Sequence, residues 1–228
     1  MRVVDQRRRI AAEALGTALL VAAVIGSGIM AERLTGDRAV ALLANTIATG
    51  GALVAILLMF GPISGAHLNP AVTLSMVAMK QQTPRSAIGY IVAQLAGGIA
   101  GAILANAMFE LPPITWSMTA RTGAARLLSE AVATFGLMGV VVAVGRTRAQ
   151  IVPFAVAAYI VAAYWFTAST SFANPAVTIA RAFSDTFAGI RPVDVGGFIM
   201  AQAVGATVGA VVFSWLVPMH RSPGLAAE

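Results

Sequence analysis

Ser64-Gly65-Ala66-His67-Leu68-Asn69-Pro70-Ala71-Val72-Thr73 and Thr170-Ser171-Phe172-Ala173-Asn174-Pro175-Ala176-Val177-Thr178 share the tripeptide Asn-Pro-Ala. Both stretches have the grammar of a helix start. Asn is a favoured N-cap, because its side-chain oxygen accepts an orphaned amide of the first turn. Pro suits the first helical position, where a missing N–H costs nothing. The apolar run after each Asn is too short to cross a bilayer alone, which takes about 20 residues. Each stretch therefore reads as a half-helix that starts inside a membrane. One such tripeptide is an ordinary capped helix. Two, each after a long apolar run, argue for more.

Outward from these motifs, hydropathy marks six long apolar stretches, roughly 10–31, 40–60, 86–108, 124–145, 151–169 and 195–217. The half-helices, about 69–79 and 174–184, fall in the second and fifth connections. A chain 58% hydrophobic and 11% charged, with mean hydropathy +0.83, is an integral membrane protein rather than a soluble domain. Without Cys it has no disulfide framework and no thiolate chemistry. The net charge of +6 does not point to nucleic acid, because the cations sit between apolar runs, where topology and anionic headgroups account for them. Arg7-Arg8-Arg9 before an apolar run imitates a signal peptide. The run from Ile10 to Ala31 is long enough to span, carries Glu13 and has no clear cleavage site, so it reads as the first membrane helix.

The connections on the Met1 side hold nine cations: Arg2, Arg7, Arg8, Arg9, Lys80, Arg85, Arg146, Arg148 and Arg221. The opposite side holds six: Arg33, Arg38, Arg121, Arg126, Arg181 and Arg191. This bias puts both termini in the cytoplasm of a multi-pass protein of the cell's inner (plasma) membrane.

The chain also repeats itself. Glu13-Ala14-Leu15-Gly16-Thr17 matches Glu130-Ala131-Val132-Ala133-Thr134, and Ala93-Gln94 with Gly97 and Gly101 matches Ala201-Gln202 with Gly205 and Gly209. Three crossings per half make the two copies antiparallel. The expectation is one domain over 1–228 with inverted repeats at about 8–110 and 124–218. Such repeats place a pathway at their interface near the midplane. The glycine pairs are small-xxx-small contacts for helix packing.

On the paired Asn-Pro-Ala motifs and these repeats, nearly the whole chain resembles the major intrinsic proteins, the aquaporin and aquaglyceroporin channels. The resemblance implies an all-α membrane protein of six transmembrane helices and two re-entrant half-helices, the aquaporin fold. It implies a pore whose waist is Asn69, Pro70, Ala71, Asn174, Pro175 and Ala176. The two positive helix ends converge there, each Asn offers an amide N–H to a solute, and cations and protons are opposed. Glu13 and Glu130 correspond to family glutamates that buttress the irregular loops, and His67 has a family counterpart with a fixed hydrogen-bonding role. Gln94 and Gln202 read as buried polar supports, and Phe60, Phe172 and Trp165 as packing or interface anchors.

Four positions form the outer constriction of the family, at fixed spacing from the motifs. Here they are Thr49, Ala162, Ser171 and Val177. Position 49 is usually a large aromatic and position 177 usually Arg. Val177 removes a permanent charge and five donors. A wide neck with hydroxyls at 49 and 171 suits glycerol, urea and neutral arsenous acid or methylated arsenicals, with or without water. This filter resembles that of bacterial aquaglyceroporin-like channels of the AqpS type, associated with arsenic resistance. It departs from glycerol facilitators, which carry Asp where Thr178 stands. Arg181, one turn beyond Val177 on the same face, offers a displaced outer charge; the favoured expectation is that it pairs with Asp185 at i+4 or meets headgroups.

The function expected is thus a passive channel for small neutral solutes. A water-selective aquaporin is the alternative, and a secondary transporter the next, since broken helices in inverted repeats occur there too. Two His, no Cys and no carboxylate pair near the motifs give no catalytic constellation and no metal site, and nothing suggests a cofactor. Membrane lipids and, by resemblance, three further copies in a homotetramer are the expected partners, and nucleic acid is not.

Overall fold

The structure is a computed structural model that describes residues 4–218. Arg2 and Arg221, counted above with the Met1-side cations, lie outside the described residues. Within them the chain is all helix, without strands. The elements are α1 (Gln6–Leu34), α2 (Arg38–Ser64), α3 (Pro70–Ala78), α4 (Pro84–Met108), α5 (Ala124–Gly139), α6 (Val152–Phe166), α7 (Pro175–Arg181) and α8 (Pro192–Leu216). After α5 the helix runs on through a π-helical turn, Val140–Val144, and Gly145–Thr147, and a 3₁₀ turn, Ala149–Ile151, leads into α6. Six helical stretches are long and apolar enough to span a membrane. The half-helices α3 and α7 have 9 and 7 residues, too few to span.

Local chemistry sets the boundaries. Asp37 caps α2 by accepting from Ala39 N–H at 2.7 Å and Val40 N–H at 3.1 Å. The same helix stops where Gly65 turns left-handed, φ 91°, a conformation natural to glycine. Thr83 and Pro84 start α4 as N-cap and first helical residue. Large apolar side chains such as Ile47, Val92, Val204 and Val211 face outward, as they do when the surrounding solvent is hydrocarbon.

Inside the bundle the two halves pack alike: α1 lies on α4, α5 lies on α8. The glycine pairs explain how close they come. A Cβ at Gly97 or Gly101 would collide with the Ala14 or Ala18 carbonyl, and one at Gly205 with that of Ala131. Without hydrophobic drive between helices in lipid, such backbone approach supplies the packing. Gly97→Leu is therefore expected to destabilise the protein by about 3 kcal/mol or more. Gly36→Ala, with open space around it, is the control. Thermal unfolding in detergent compares the two, and equal melting temperatures would contradict the packing argument.

Candidate functional site

The half-helices α3 and α7 meet at their N-termini. Asn69 Oδ1 accepts from Ala71 N–H at 2.9 Å, and Asn174 Oδ1 from Ala176 N–H at 3.0 Å and Val177 N–H at 3.3 Å. Each Asn also reaches across to the other loop. Asn69 Nδ2 donates to the Ala173 carbonyl and Asn174 Nδ2 to the Leu68 carbonyl, both at 2.8 Å. A primary amide has two N–H donors, so each clasp leaves a second N–H on each Asn unused. The sequence foreshadows the cap but not the reciprocal clasp, which exists only once the two motifs face each other.

The loops leading to these caps are unusual backbone. Ala66, Leu68, Thr170, Ser171 and Ala173 all have positive φ, between 45° and 60°. For non-glycine residues this costs on the order of 1–3 kcal/mol each, so something must hold them. Two buried carboxylates do. Glu13 accepts from His67 N–H at 3.0 Å, Leu68 N–H at 2.7 Å, Ser64 Oγ at 2.6 Å and Gln94 Nε2 at 2.8 Å. Glu130 accepts from Phe172 N–H and Ala173 N–H, both at 2.9 Å, and from Gln202 Nε2 at 2.6 Å. The glutamines carry the clamp on to the half-helices: Gln94 Nε2 also donates to Thr73 Oγ1 at 2.9 Å, and Gln202 Nε2 to Thr178 Oγ1 at 2.8 Å. His67 completes the first set, its Nδ1 lying 3.1 Å from Thr73 Oγ1 and its ring edge-on to Tyr90.

Glu130→Gln replaces one acceptor oxygen of this clamp by a donor that faces the loop amides. Leaving a buried N–H unpaired costs about 1–3 kcal/mol, so yield and melting temperature are expected to fall, and solute flux with them, without a new pH dependence. Purified Glu130→Gln with parental stability and flux would show that the carboxylate is dispensable.

A cavity of about 190 Å³ runs past this clasp. Gly65–Asn69 and Ser171–Asn174 form its polar side. Leu20 and Val24 of α1, Leu53 and Leu57 of α2, Leu137 of α5, Val141 of the π turn, and Val156 and Ile160 of α6 form the apolar side. A polar rail thus faces an oily wall. Beyond Met76, Val141 and Val152 a second space of about 470 Å³ opens among Met79, Gln81 and Arg146, residues of the Met1-side connections.

At the other end the cavity reaches Thr49, Tyr164, Ser171, Phe172, Val177 and Arg181. Three of the four positions inferred for the constriction, Thr49, Ser171 and Val177, thus border one space. Ala162 does not: it is exposed on the outer surface of α6. At about 100° per residue, Val152, Val156, Ile160 and Tyr164 share the cavity face, and Ala162 lies near the opposite one. Ungapped counting from the motif lands on the wrong side of the helix. The cavity holds Tyr164 instead, its hydroxyl 3.4 Å from Thr49 Oγ1.

Arg181 also departs from expectation. Helix α7 ends at this residue, so Asp185 is not its helical neighbour. The Asp185 carboxylate accepts from Met118 N–H at 2.8 Å. Arg181 is buried, donates from Nε to the Ala188 carbonyl and lies with Cζ 3.4 Å from the Phe172 ring centroid. Over the same ring, at 4.8 Å, sits Arg121. Its Nε donates to Gly189 O at 2.6 Å, and its other nitrogens to Ser169 O, Thr170 Oγ1 and Phe187 O. Burial, with repulsion from Arg126 next, pushes the Arg121 guanidinium down to about 10, so it stays charged at neutral pH.

The family model described as "Major intrinsic protein" matches residues 1–168, well over half of the chain. The chain belongs to the major intrinsic protein family. Among relatives of this major intrinsic protein, aquaglyceroporin AqpS of Rhizobium meliloti (strain 1021) is 55% identical over 221 residues, covering 97% of this chain and 95% of that protein. Aquaporin NIP6-1 of Arabidopsis thaliana is 31% identical over 214 residues, covering 91% of this chain and 68% of that protein. The X-ray structure of the aquaglyceroporin from Plasmodium falciparum superposes with TM-score 0.70, covering 93% of this chain and 95% of that one. At 22% identity this last likeness speaks for the fold alone. As a major intrinsic protein the chain is a multi-pass membrane channel for small neutral solutes such as water and glycerol, and not an enzyme.

Proposed function

We propose that this major intrinsic protein is an aquaglyceroporin-type channel that passes glycerol-sized solutes and neutral arsenic species, arsenous acid or methylated arsenicals, as well as water. One observation carries the reading. The residue directly after the second Asn-Pro-Ala is Val177, which borders the cavity beside Thr49 and Ser171, where the family usually places Arg. A branched alkyl group there binds no water of its own and leaves room that a guanidinium would fill. The likeness to a protein named aquaglyceroporin AqpS supports the same class. Tyr164 takes back some width, so selection rests on hydroxyls from Thr49, Tyr164 and Ser171 as much as on size.

In this account Asn69 and Asn174 form the waist, Pro70 and Pro175 the preset first helical positions, and Ala71 and Ala176 the small residues beneath them. Glu13, Glu130 and His67 hold the loops. The converging N-termini of α3 and α7 oppose cations and protons. The chain forms one domain of two inverted repeats in the inner membrane, termini in the cytoplasm, as a homotetramer surrounded by lipid. Stopped-flow swelling of proteoliposomes with water, glycerol, urea and arsenite tests the substrate class. Flux of all the larger solutes above protein-free vesicles is expected. Flux of water alone would replace this reading by a water-selective aquaporin.

A further inference from the structure

Position 177 lacks the family's guanidinium, yet the outer end of the cavity does not lack one. Arg181 follows Val177 by four residues, one helical turn along the same face. Arg181 is only 2% exposed, and its side chain is fixed at two points, by the Ala188 carbonyl at Nε and by the Phe172 ring. Phe172 is itself pinned through its N–H to Glu130. Beyond Nε, Arg181 makes no hydrogen bond to any described residue, and no carboxylate among them pairs with it. Its two terminal nitrogens are not sealed in protein either, and Arg181 borders the cavity. Arg121, over the same ring, has all three nitrogens engaged by loop oxygens. Arg121 is therefore a brace, and Arg181 is the guanidinium with donors to offer.

A second group points the same way. Ser171 borders the cavity, is 3% exposed, and its buried Oγ has no hydrogen-bond partner. Leaving a buried hydroxyl unpaired is costly, and buried polar groups without partners are rare. An orphan hydroxyl and an unengaged guanidinium on one cavity, beside the Tyr164 and Thr49 hydroxyls, form a set of groups that a solute completes.

We propose that Arg181 and Ser171 form an outer solute-binding subsite that selects small neutral molecules carrying two or more oxygens. One strongly accepting oxygen takes the Arg181 donors, and a second oxygen exchanges a hydrogen bond with Ser171 Oγ. The guanidinium usual directly after the motif is thus moved one turn outward, where it recognises solute without narrowing the section beside Val177. This inference rests on the channel function proposed above and adds to it the residues that discriminate between solutes.

The test is proteoliposome permeability to glycerol and to water, measured for the parent, Arg181→Gln and Ser171→Ala at equal reconstituted amounts, with melting temperatures in detergent. In Arg181→Gln the glycerol-to-water ratio is expected to fall about tenfold, the scale of one hydrogen bond to a charged group. In Ser171→Ala it is expected to fall about threefold, the scale of a neutral one. Ser171→Ala is also expected to melt no lower than the parent, because an orphan hydroxyl contributes nothing to the empty fold. That combination separates a solute contact from a structural one, and it holds even if Arg181→Gln misfolds. A parental ratio in well-folded Ser171→Ala, or in well-folded Arg181→Gln, overturns the subsite while leaving the channel intact. A parent that passes no neutral solute overturns the channel reading, and the subsite with it.

Discussion

Val177→Arg is expected to cut permeation of glycerol- and arsenite-sized solutes by at least about tenfold, equal to about 1.4 kcal/mol of added barrier. Water should fall less. Val177 is buried on the cavity side of α7, so a longer side chain there enters the path rather than the lipid. Its charge would sit one turn from Arg181, and like charges at i,i+4 repel, which drives the new guanidinium away from the outer mouth and into the constriction. Tyr164, its hydroxyl close to Thr49, occupies space opposite that would otherwise let it swing aside. Thr49→Phe combined with Val177→Arg closes the remaining gap and should leave a pore narrowed towards water. Uptake of each solute at matched levels of inserted protein decides the matter. Parental glycerol and arsenite flux through Val177→Arg would mean that position 177 does not border the constriction.

The second large effect is expected at the waist. Asn174→Ala removes three things at once: the cap on α7, the clasp to the Leu68 carbonyl and the donor left over for solute. A cap is typically worth about 1 kcal/mol and a buried hydrogen bond about the same, so the single variant should fold, with a lower melting temperature. Flux should fall by about tenfold or more, because the waist loses the Asn174 amide donors and the Leu68 carbonyl loses the partner that fixes it. Asn69→Ala, which frees the Ala173 carbonyl, should behave alike. The two losses should combine less than additively, since each clasp depends on the other loop being in place. Well-folded Asn69→Ala and Asn174→Ala proteins with parental flux would remove both residues from the mechanism.

The half-helices, the loop clamps and the close helix contacts are all legible in the amino-acid sequence. Two Asn-Pro-Ala motifs, two glutamates in matching apolar helices and two Ala-Gln pairs with spaced glycines dictate them. Each signal is local or repeats at a fixed spacing. What the sequence hides depends on three-dimensional detail. Counting residues across the end of α6 leads to Ala162, but an offset of two along a helix turns a side chain by about 200°, and it is Tyr164 that enters the cavity. Helical spacing pairs Arg181 with Asp185, but α7 stops at Arg181 and the spacing rule stops with it. The π turn at Val140–Val144, flanked by Gly139 and Gly145, reads in the sequence as plain continuation of an apolar helix, although it sits where Val141 joins the cavity wall. The crossed Asn amides need both halves of the chain in register before either partner exists.

The path past Asn69 and Asn174 is expected to conduct small neutral solutes passively and to exclude ions. Glycerol flux into proteoliposomes, recorded with and without imposed proton and sodium gradients and alongside ionic current in planar bilayers, tests it most directly. Flux is expected to be proportional to the glycerol gradient and unchanged by either ion gradient, with no ionic current above bare membrane. Flux that requires a proton or sodium gradient, or a measurable current carried by the purified protein, would contradict it.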